Sequence, residues 1–313
     1  CFSISFFYSI CASRHRQANN ANFEEFGSFA YSFAMDFKVD PINAPCGARI
    51  TGVDLGTELK AETYAAIHQA WLDHQVLVFP DTKMTEEDQI RFTKHWGEMP
   101  VRKRYAGRRE EGRRSHESIM LISNIRQNGE PIGLLPDGEL MFHSDSVFLE
   151  KPLMGAMLYA EEIPSTGGNT LFANMYDAYD SLTDELKTRV TGLQAVHVFD
   201  YETQVKSGRF DRSSAPHATH PAIRTHPETG RKALYVNRLM TEELVGLPRA
   251  ENDDLLQRLY RHAEDSTHVY EHIWQVNDLV MWDNRCTQHA RTDFPTGERR
   301  LLRRVGIEGD RPV

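Results

Sequence analysis

Phe142-His143-Ser144-Asp145-Ser146 is the stretch of this chain best equipped for chemistry. It is polar, and it interrupts a run that otherwise reads as strand, with Leu140 and Met141 before it and Val147, Phe148 and Leu149 after it. Alternate side chains of an extended strand share a face, so the pattern predicts His143 and Asp145 pointing one way and Ser144 the other. An imidazole nitrogen and a carboxylate oxygen so placed can hold one metal ion from adjacent directions. A second histidine from elsewhere in the fold would complete the two-His, one-carboxylate facial arrangement that suits Fe(II) and leaves three positions open. Alone, a His-x-Asp arises easily by accident among 14 histidines, and its plainer explanation is an exposed polar strand edge.

Composition narrows the setting. With 313 residues, 40% hydrophobic and 26% charged, the chain reads as globular, with room for one large domain or two ordinary ones. A net charge of -9 argues against nucleic acid as a partner. Cys1, Cys11, Cys46 and Cys286 are scattered, which points to a reducing, cytoplasmic setting and away from a disulfide or thiolate-zinc scaffold. No apolar run approaches the roughly 20 residues that span a bilayer, so no membrane role is expected. Residues 1–34 carry no clear periodicity, whereas an ordered pattern starts just after Met35. The expectation is an extension over 1–34 and a single domain over 35–313.

The elements that must position the pentapeptide are mostly strands. Val76–Phe79, Ile119–Ser123, Met154–Glu161, Thr170–Phe172, Val196–Phe199, Ala233–Val236, Val269–Trp274, Asp278–Trp282 and Leu301–Ile307 have strand character. Helical spacing appears over 61–75, over 85–96 with Thr85 as cap, in two short stretches at 174–181 and 183–191, and over 250–263. Strands and helices do not alternate regularly, which excludes a doubly wound parallel sheet. The expected class is mainly β with flanking helices, built on a double-sheet jelly roll whose distant strands meet around one mouth. Between 98 and 118 lie Arg102, Lys103, Arg104, Arg108, Arg109, Arg113 and Arg114 without periodicity. That run reads either as a solvated loop or as a mobile lid over a pocket for an anion.

The C-terminal tract supplies further candidates. Trp282-Asp283-Asn284 is the polar exit of a buried strand, His289 follows, and Arg299, Arg300, Arg303 and Arg304 border or occupy the last strand. Arg304 falls on the same face as Leu302, where a guanidinium is costly unless it meets an anion. Together with Phe142-His143-Ser144-Asp145, Gly167-Gly168-Asn169-Thr170-Leu171-Phe172, Trp282-Asp283-Asn284-Arg285 and Gln288-His289, this order of motifs resembles the taurine dioxygenase and chlorophenoxyacetate dioxygenase family of Fe(II)- and 2-oxoglutarate-dependent oxygenases. The similarity runs from about residue 37 to the end.

The resemblance implies His143, Asp145 and His289 as iron ligands. It implies Thr170 and Arg304 on the distal carboxylate of 2-oxoglutarate, with Arg300 near the other carboxylate. The cofactors would be Fe(II), 2-oxoglutarate as cosubstrate and O2. The chemistry would be oxidative decarboxylation to succinate and CO2 with hydroxylation of an unactivated C–H bond. A bond would break where the hydroxylated carbon bears a sulfonate or an aryl ether. The basic run makes a small organic anion, such as a sulfonate or aryloxyalkanoate, the expected substrate, and a homo-oligomer is expected. Gly138-Glu139-Leu140-Met141 departs from the Asn- and Trp-bearing version found in taurine enzymes, which points away from taurine itself. His197, His217, His220 and His226 read as loop and core histidines. Two other functions use the same features: a zinc hydrolase on the same two His and Asp, and a jelly-roll binding protein without turnover.

Overall fold

Two largely antiparallel sheets carry the site in the computed structural model, which describes residues 37–100, 116–133, 139–199 and 215–313. The expected 1–34 extension and residues 101–115 of the expected lid lie outside the described residues. The larger sheet has seven strands in the order Lys38–Pro41, Ala48–Thr51, Val76–Phe79, Leu279–Asp283, Leu153–Glu162, Leu301–Glu308 and Met120–Ser123. Within it only Ala48–Thr51 and Val76–Phe79 run parallel. The smaller sheet has four strands in the order Val269–His272, Thr170–Asn174, Thr287–Arg291 and Leu140–His143. The chain is therefore mainly β, with the helices Ala61–His74, Glu86–Lys94, Met175–Asp180, Asp184–Val190 and Arg249–Ala263 around the sheets. Among the described residues no helix is long and apolar enough to cross a membrane.

Period-two alternation decides which side chains face which layer. Val76, Val78, Ala156, Leu158, Val280, Trp282 and Leu302 of the larger sheet pack with Phe172 and Tyr270 of the smaller one. Their neighbours Leu77, Phe79, Met157, Tyr159, Leu279 and Met281 face the other way, onto Tyr64, Ile67, Trp71 and Phe92 of the first two helices. Strands buried on both faces read as continuous apolar runs, which is why Val76-Leu77-Val78-Phe79 shows no alternation in the sequence.

Each covering helix is specified locally. Ala61–His74 buries Tyr64, Ile67, Ala70 and Trp71, one stripe at three- and four-residue spacing. Glu86–Lys94 begins with a capping box in which Thr85 and Asp88 satisfy each other's backbone N–H groups. This second helix lies on the outer face of the last strand, where Gln89 Nε2 donates to the carbonyl of Arg303 at 3.2 Å and Arg303 Nη2 donates to the carbonyl of Met84 at 2.6 Å.

The sheet-to-helix distance is set at Gly155. A Cβ there would lie 2.6 Å from the Trp71 ring and 2.8 Å from the carbonyl of Trp282. Trp71 is fully buried, so nothing yields cheaply. Gly155→Ala should destabilise the fold by about 1–3 kcal/mol through overpacking, read as a lowered urea midpoint with an unchanged m-value.

Candidate active site

Two histidines meet because their strands are neighbours in register. His289 of Thr287–Arg291 stands directly opposite His143 of Leu140–His143, and on its other side opposite Phe172. Cross-strand partners share a face, and the two imidazole centroids lie 4.2 Å apart. The strand bearing His289 was not legible as one in the sequence. All five of its residues are buried, and their polar groups are satisfied inside: Thr287 Oγ1 donates to the carbonyl of Asp283 and Gln288 Nε2 to that of Val236.

Asp145 arrives by a different route from the one the alternation predicts. The strand stops at His143, and residues 145–148 form a turn in which Ser146 has a φ of 56°. The turn, not strand periodicity, aims Asp145 beside His143. Its backbone N–H donates to Asn284 Oδ1 at 2.7 Å, and its carbonyl accepts from Asn284 Nδ2 at 3.0 Å. The side chain then sits 3.9 Å from His143 Nε2 through Oδ1 and 3.9 Å from His289 Nε2 through Oδ2.

The donor set is one that a divalent metal fits. One ligand atom from each of His143, Asp145 and His289 lies within 4.8 Å of the others. His143 Nδ1 is 2.9 Å from the carbonyl of Met141, a contact that fixes the proton on Nδ1 and turns the Nε2 lone pair toward Asp145. Burial lowers the affinity of both imidazoles for a proton. His289 is brought down to about 3 by burial and then by His143, so both rings are neutral and able to coordinate. Burial alone would raise the Asp145 carboxyl, but Arg304, His289 and His143 together bring it down to about 2. Arg304 lies against Asp145 Oδ2 as an ion pair without hydrogen-bond geometry. As the alternation predicts, Arg304 shares the inner face with Leu302; in register it stands opposite Leu158 and Met120.

Arg300 sits apart from this group. It is buried, its Nη2 donates to the carbonyl of Gly168 at 3.2 Å, and its Nε has no hydrogen-bond partner. Burial and then the nearby Arg291 lower its affinity for a proton. Arg291 stands opposite Thr170 in register, and Thr170 Oγ1 accepts from Trp274 Nε1 at 3.0 Å. Of the sequence-predicted residues, the structure thus gathers His143, Asp145, His289 and Arg304, and sets Thr170 and Arg300 toward Gly168 and Arg291. Arg291 is the addition that periodicity could not supply, because its strand was not legible. A cavity of about 300 Å³ opens beside Arg304, lined also by Ser118, Met120, Ser146, Lys151 and Leu153.

Comparison with known proteins points the same way. The family described as "Taurine catabolism dioxygenase TauD, TfdA family" matches residues 38–305. The (S)-phenoxypropionate/alpha-ketoglutarate-dioxygenase of Sphingobium herbicidovorans is 33% identical over 292 residues, 88% of this chain and 96% of that protein. Pentalenolactone F synthase of Streptomyces avermitilis is 33% identical over 301 residues, covering 90% of this chain and 97% of that one. The crystal structure of a taurine dioxygenase from Burkholderia xenovorans superposes with a TM-score of 0.74 at 30% identity, over 89% of this chain and 93% of the other.

Behind the His289 strand lies a second buried group of metal-type side chains, His226, Asp283 and Cys286. Hydrogen bonds occupy both nitrogens of His226 and both oxygens of Asp283, and Cys286 Sγ lies 3.9 Å from the carbonyl of Asp283. His226 Nδ1 accepts from the backbone N–H groups of Glu228 and Thr229, so its Nε2–H donates to Asp283 Oδ2 at 3.0 Å. Both Asp283 oxygens also accept from Arg285, at 2.9 and 2.7 Å. Burial would raise the Asp283 carboxyl, but Arg285 and His226 outweigh it and hold the group below the usual carboxylate range. The network is structural: it ties down the turn between Leu279–Asp283 and the His289 strand. A lowered carboxyl contributes stability that is present above its unfolded value of about 3.9 and is lost as pH falls through the folded value. Asp283→Asn should cost about 3 kcal/mol at neutral pH, the low end for a broken buried pair, because Arg285 keeps Glu228 at 2.6 Å as its remaining anion. Urea titrations should also show a shallower loss of stability below about pH 4 in the variant than in the parent.

Proposed function

Because the chain belongs to the TauD, TfdA family and is a 2-oxoglutarate-dependent dioxygenase using Fe(II) and O2, we propose that His143, Asp145 and His289 hold the iron at the open end of a jelly-roll core. The convergence of these three side chains, two by cross-strand register and one by a turn, is the observation that carries the assignment. Bound there, Fe(II) with 2-oxoglutarate and O2 supplies the oxidation, releasing succinate and CO2 and placing a hydroxyl on a substrate C–H carbon. The larger and smaller sheets, packed face to face around Trp282 and Phe172, serve as the two walls of that jelly roll.

The rest of the chemistry belongs to this chain's own side chains. We assign the distal carboxylate of 2-oxoglutarate to Arg300 with Thr170, and we place Arg304 at the metal end, reversing the roles that the sequence implied for the two arginines. The reason is geometric. Arg304 is already in contact with the Asp145 carboxylate, while Arg300 lies four residues earlier, about 13 Å of extended chain away. Arg300 has an unsatisfied buried Nε and a planar fork suited to a carboxylate. Arg304 keeps Asp145 ionised and puts positive charge on the wall of the substrate cavity. Met141 O holds His143 in the tautomer that presents Nε2.

For the substrate we propose a small organic anion with an apolar body. The cavity beside Arg304 offers Met120 and Leu153 for the body, Ser118 and Ser146 for polar contact, and Lys151 as a second cation against the one carboxylate of the lining, Glu308. Relatives named for phenoxypropionate and taurine support an anion, while pentalenolactone F synthase marks how far substrates diverge within the family.

Anaerobic titration with Fe(II) and 2-oxoglutarate should produce a visible metal-to-ligand charge-transfer band that His143→Ala abolishes. Its absence in the parent protein would overturn the metal assignment. Arg300→Ala should weaken 2-oxoglutarate binding by about 10- to 100-fold in that titration, the loss expected for a charge-assisted carboxylate contact, with Fe(II) binding retained. Across a panel scored by succinate release, acids should turn over and their amides or methyl esters should not. Lys151→Glu should raise KM for the acids more than it lowers kcat, and equal turnover of the neutral analogues would refute the anion assignment.

A further inference from the structure

Building on the metal assignment above, we propose that Asn284 is a positioning residue for the iron site, acting on Asp145 through the backbone. Asn284 is completely buried and comes from the turn after the strand Leu279–Asp283 of the larger sheet. Its whole side-chain amide is committed to the segment that carries the carboxylate ligand. Oδ1 accepts from the N–H of Asp145 at 2.7 Å, and Nδ2 donates to the carbonyl of Asp145 at 3.0 Å and to that of Leu153 at 2.8 Å. Its backbone N–H donates to the carbonyl of Met154 at 2.9 Å. A single amide thus spans both ends of the residue 145–153 connection. It clamps the ligand's own peptide from both sides.

This clamp is needed because regular structure has ended. The strand stops at His143, and the next residues turn through a positive φ at Ser146. Inside a strand the ladder fixes side-chain direction; in a turn nothing fixes it unless backbone groups find specific partners. The far side of the same turn is held by His220, whose Nε2 lies 2.9 Å from the carbonyl of Val147 and 3.0 Å from that of Leu149. That contact reaches the turn after Asp145, whereas Asn284 holds Asp145 itself. Asn284 also lies five residues before His289, so one short piece of chain supplies a ligand and fixes the direction of another.

A side chain that only stabilises the fold would change melting and leave metal affinity alone. A positioning residue changes the affinity of folded protein. The measurement is Mn(II) affinity, by electron paramagnetic resonance of free Mn(II), in the parent, Asn284→Ala, Asn284→Asp and Asn252→Ala. Asn252 is another buried asparagine, accepting from the backbone N–H of Leu244 at 2.7 Å in the helix Arg249–Ala263, with no contact to the site. Asn284→Asp keeps the acceptor for the Asp145 N–H and loses both donated bonds, so it reports if the alanine variant does not fold. We expect the Mn(II) Kd to rise about 10- to 100-fold in either folded Asn284 variant, the range for loss of a group that orients a metal ligand. Asn252→Ala should lower the melting temperature with the parent's Kd. A Kd within twofold of the parent in a folded Asn284 variant would overturn the positioning role. Failure of the parent to bind Mn(II) at all would instead overturn the metal assignment.

Discussion

A carboxylate kept ionised between two apolar sheets is the constraint that the rest of this structure meets. Burial disfavours the charge on Asp145, and only Arg304, His143 and His289 outweigh it. Each comes from a different strand, so the charge is stable only where those strands are brought into a fixed relation. The apolar layer of Trp282, Phe172, Leu158 and Leu302 supplies that relation. It excludes water from the space between the sheets, which strengthens every electrostatic contact there and raises the penalty for any group left without a partner. Trp282 and Phe172 also flank His289, at 4.8 and 6.3 Å between ring centroids, so the packing that closes the core orients a site residue as well.

The two arginines of the last strand show how one element serves two purposes. Alternation sends Arg304 inward to Asp145 and Arg303 outward beneath the helix Glu86–Lys94, where it bonds to the carbonyl of Met84 and pairs with Glu161 at 3.3 Å. Both are shielded from water, and both are tolerated because an acceptor waits at the end of the side chain. Arg303 secures the covering helix; Arg304 secures the carboxylate. Arg300, just before the strand, has the Gly168 carbonyl as its one side-chain hydrogen-bond partner among the described residues, which sets it apart from the two that follow.

Much of this was legible in the sequence where side-chain pattern and backbone state coincide. The cap at Thr85, the apolar stripe Tyr64-Ile67-Trp71 and the two-sided burial of Val76–Phe79 follow from local chemistry. The motif order carried the three metal-type residues, because His-x-Asp and the later His keep their types whatever their surroundings. The strand Thr287–Arg291 escaped because its polar residues are satisfied by partners distant in sequence, such as the Val236 carbonyl under Gln288, which no periodicity reports. The turn at Asp145 escaped for the opposite reason. Leu140 to Leu149 reads as strand on both sides of its polar middle, and the turn there is held by Asn284, 139 residues away.

That last dependence bears on how such a site tolerates change. His289 is held by ladder pairing on both flanks, opposite Phe172 and His143, and His143 on one flank, so their direction is shared among several contacts. Asp145 has no ladder: Asn284 holds its backbone, Arg304 lies against its carboxylate, and His220 holds the turn beyond it. A substitution anywhere along a ladder is diluted by its neighbours, whereas the carboxylate arm depends on a few specific contacts. Asn284, the support that touches Asp145 itself, comes from the turn after Leu279–Asp283, which the Asp283–Arg285–His226 network ties down. The one ligand outside the sheet is therefore supported by a turn that is itself closely hydrogen-bonded, and rigidity reaches the carboxylate through hydrogen bonds rather than through the sheet.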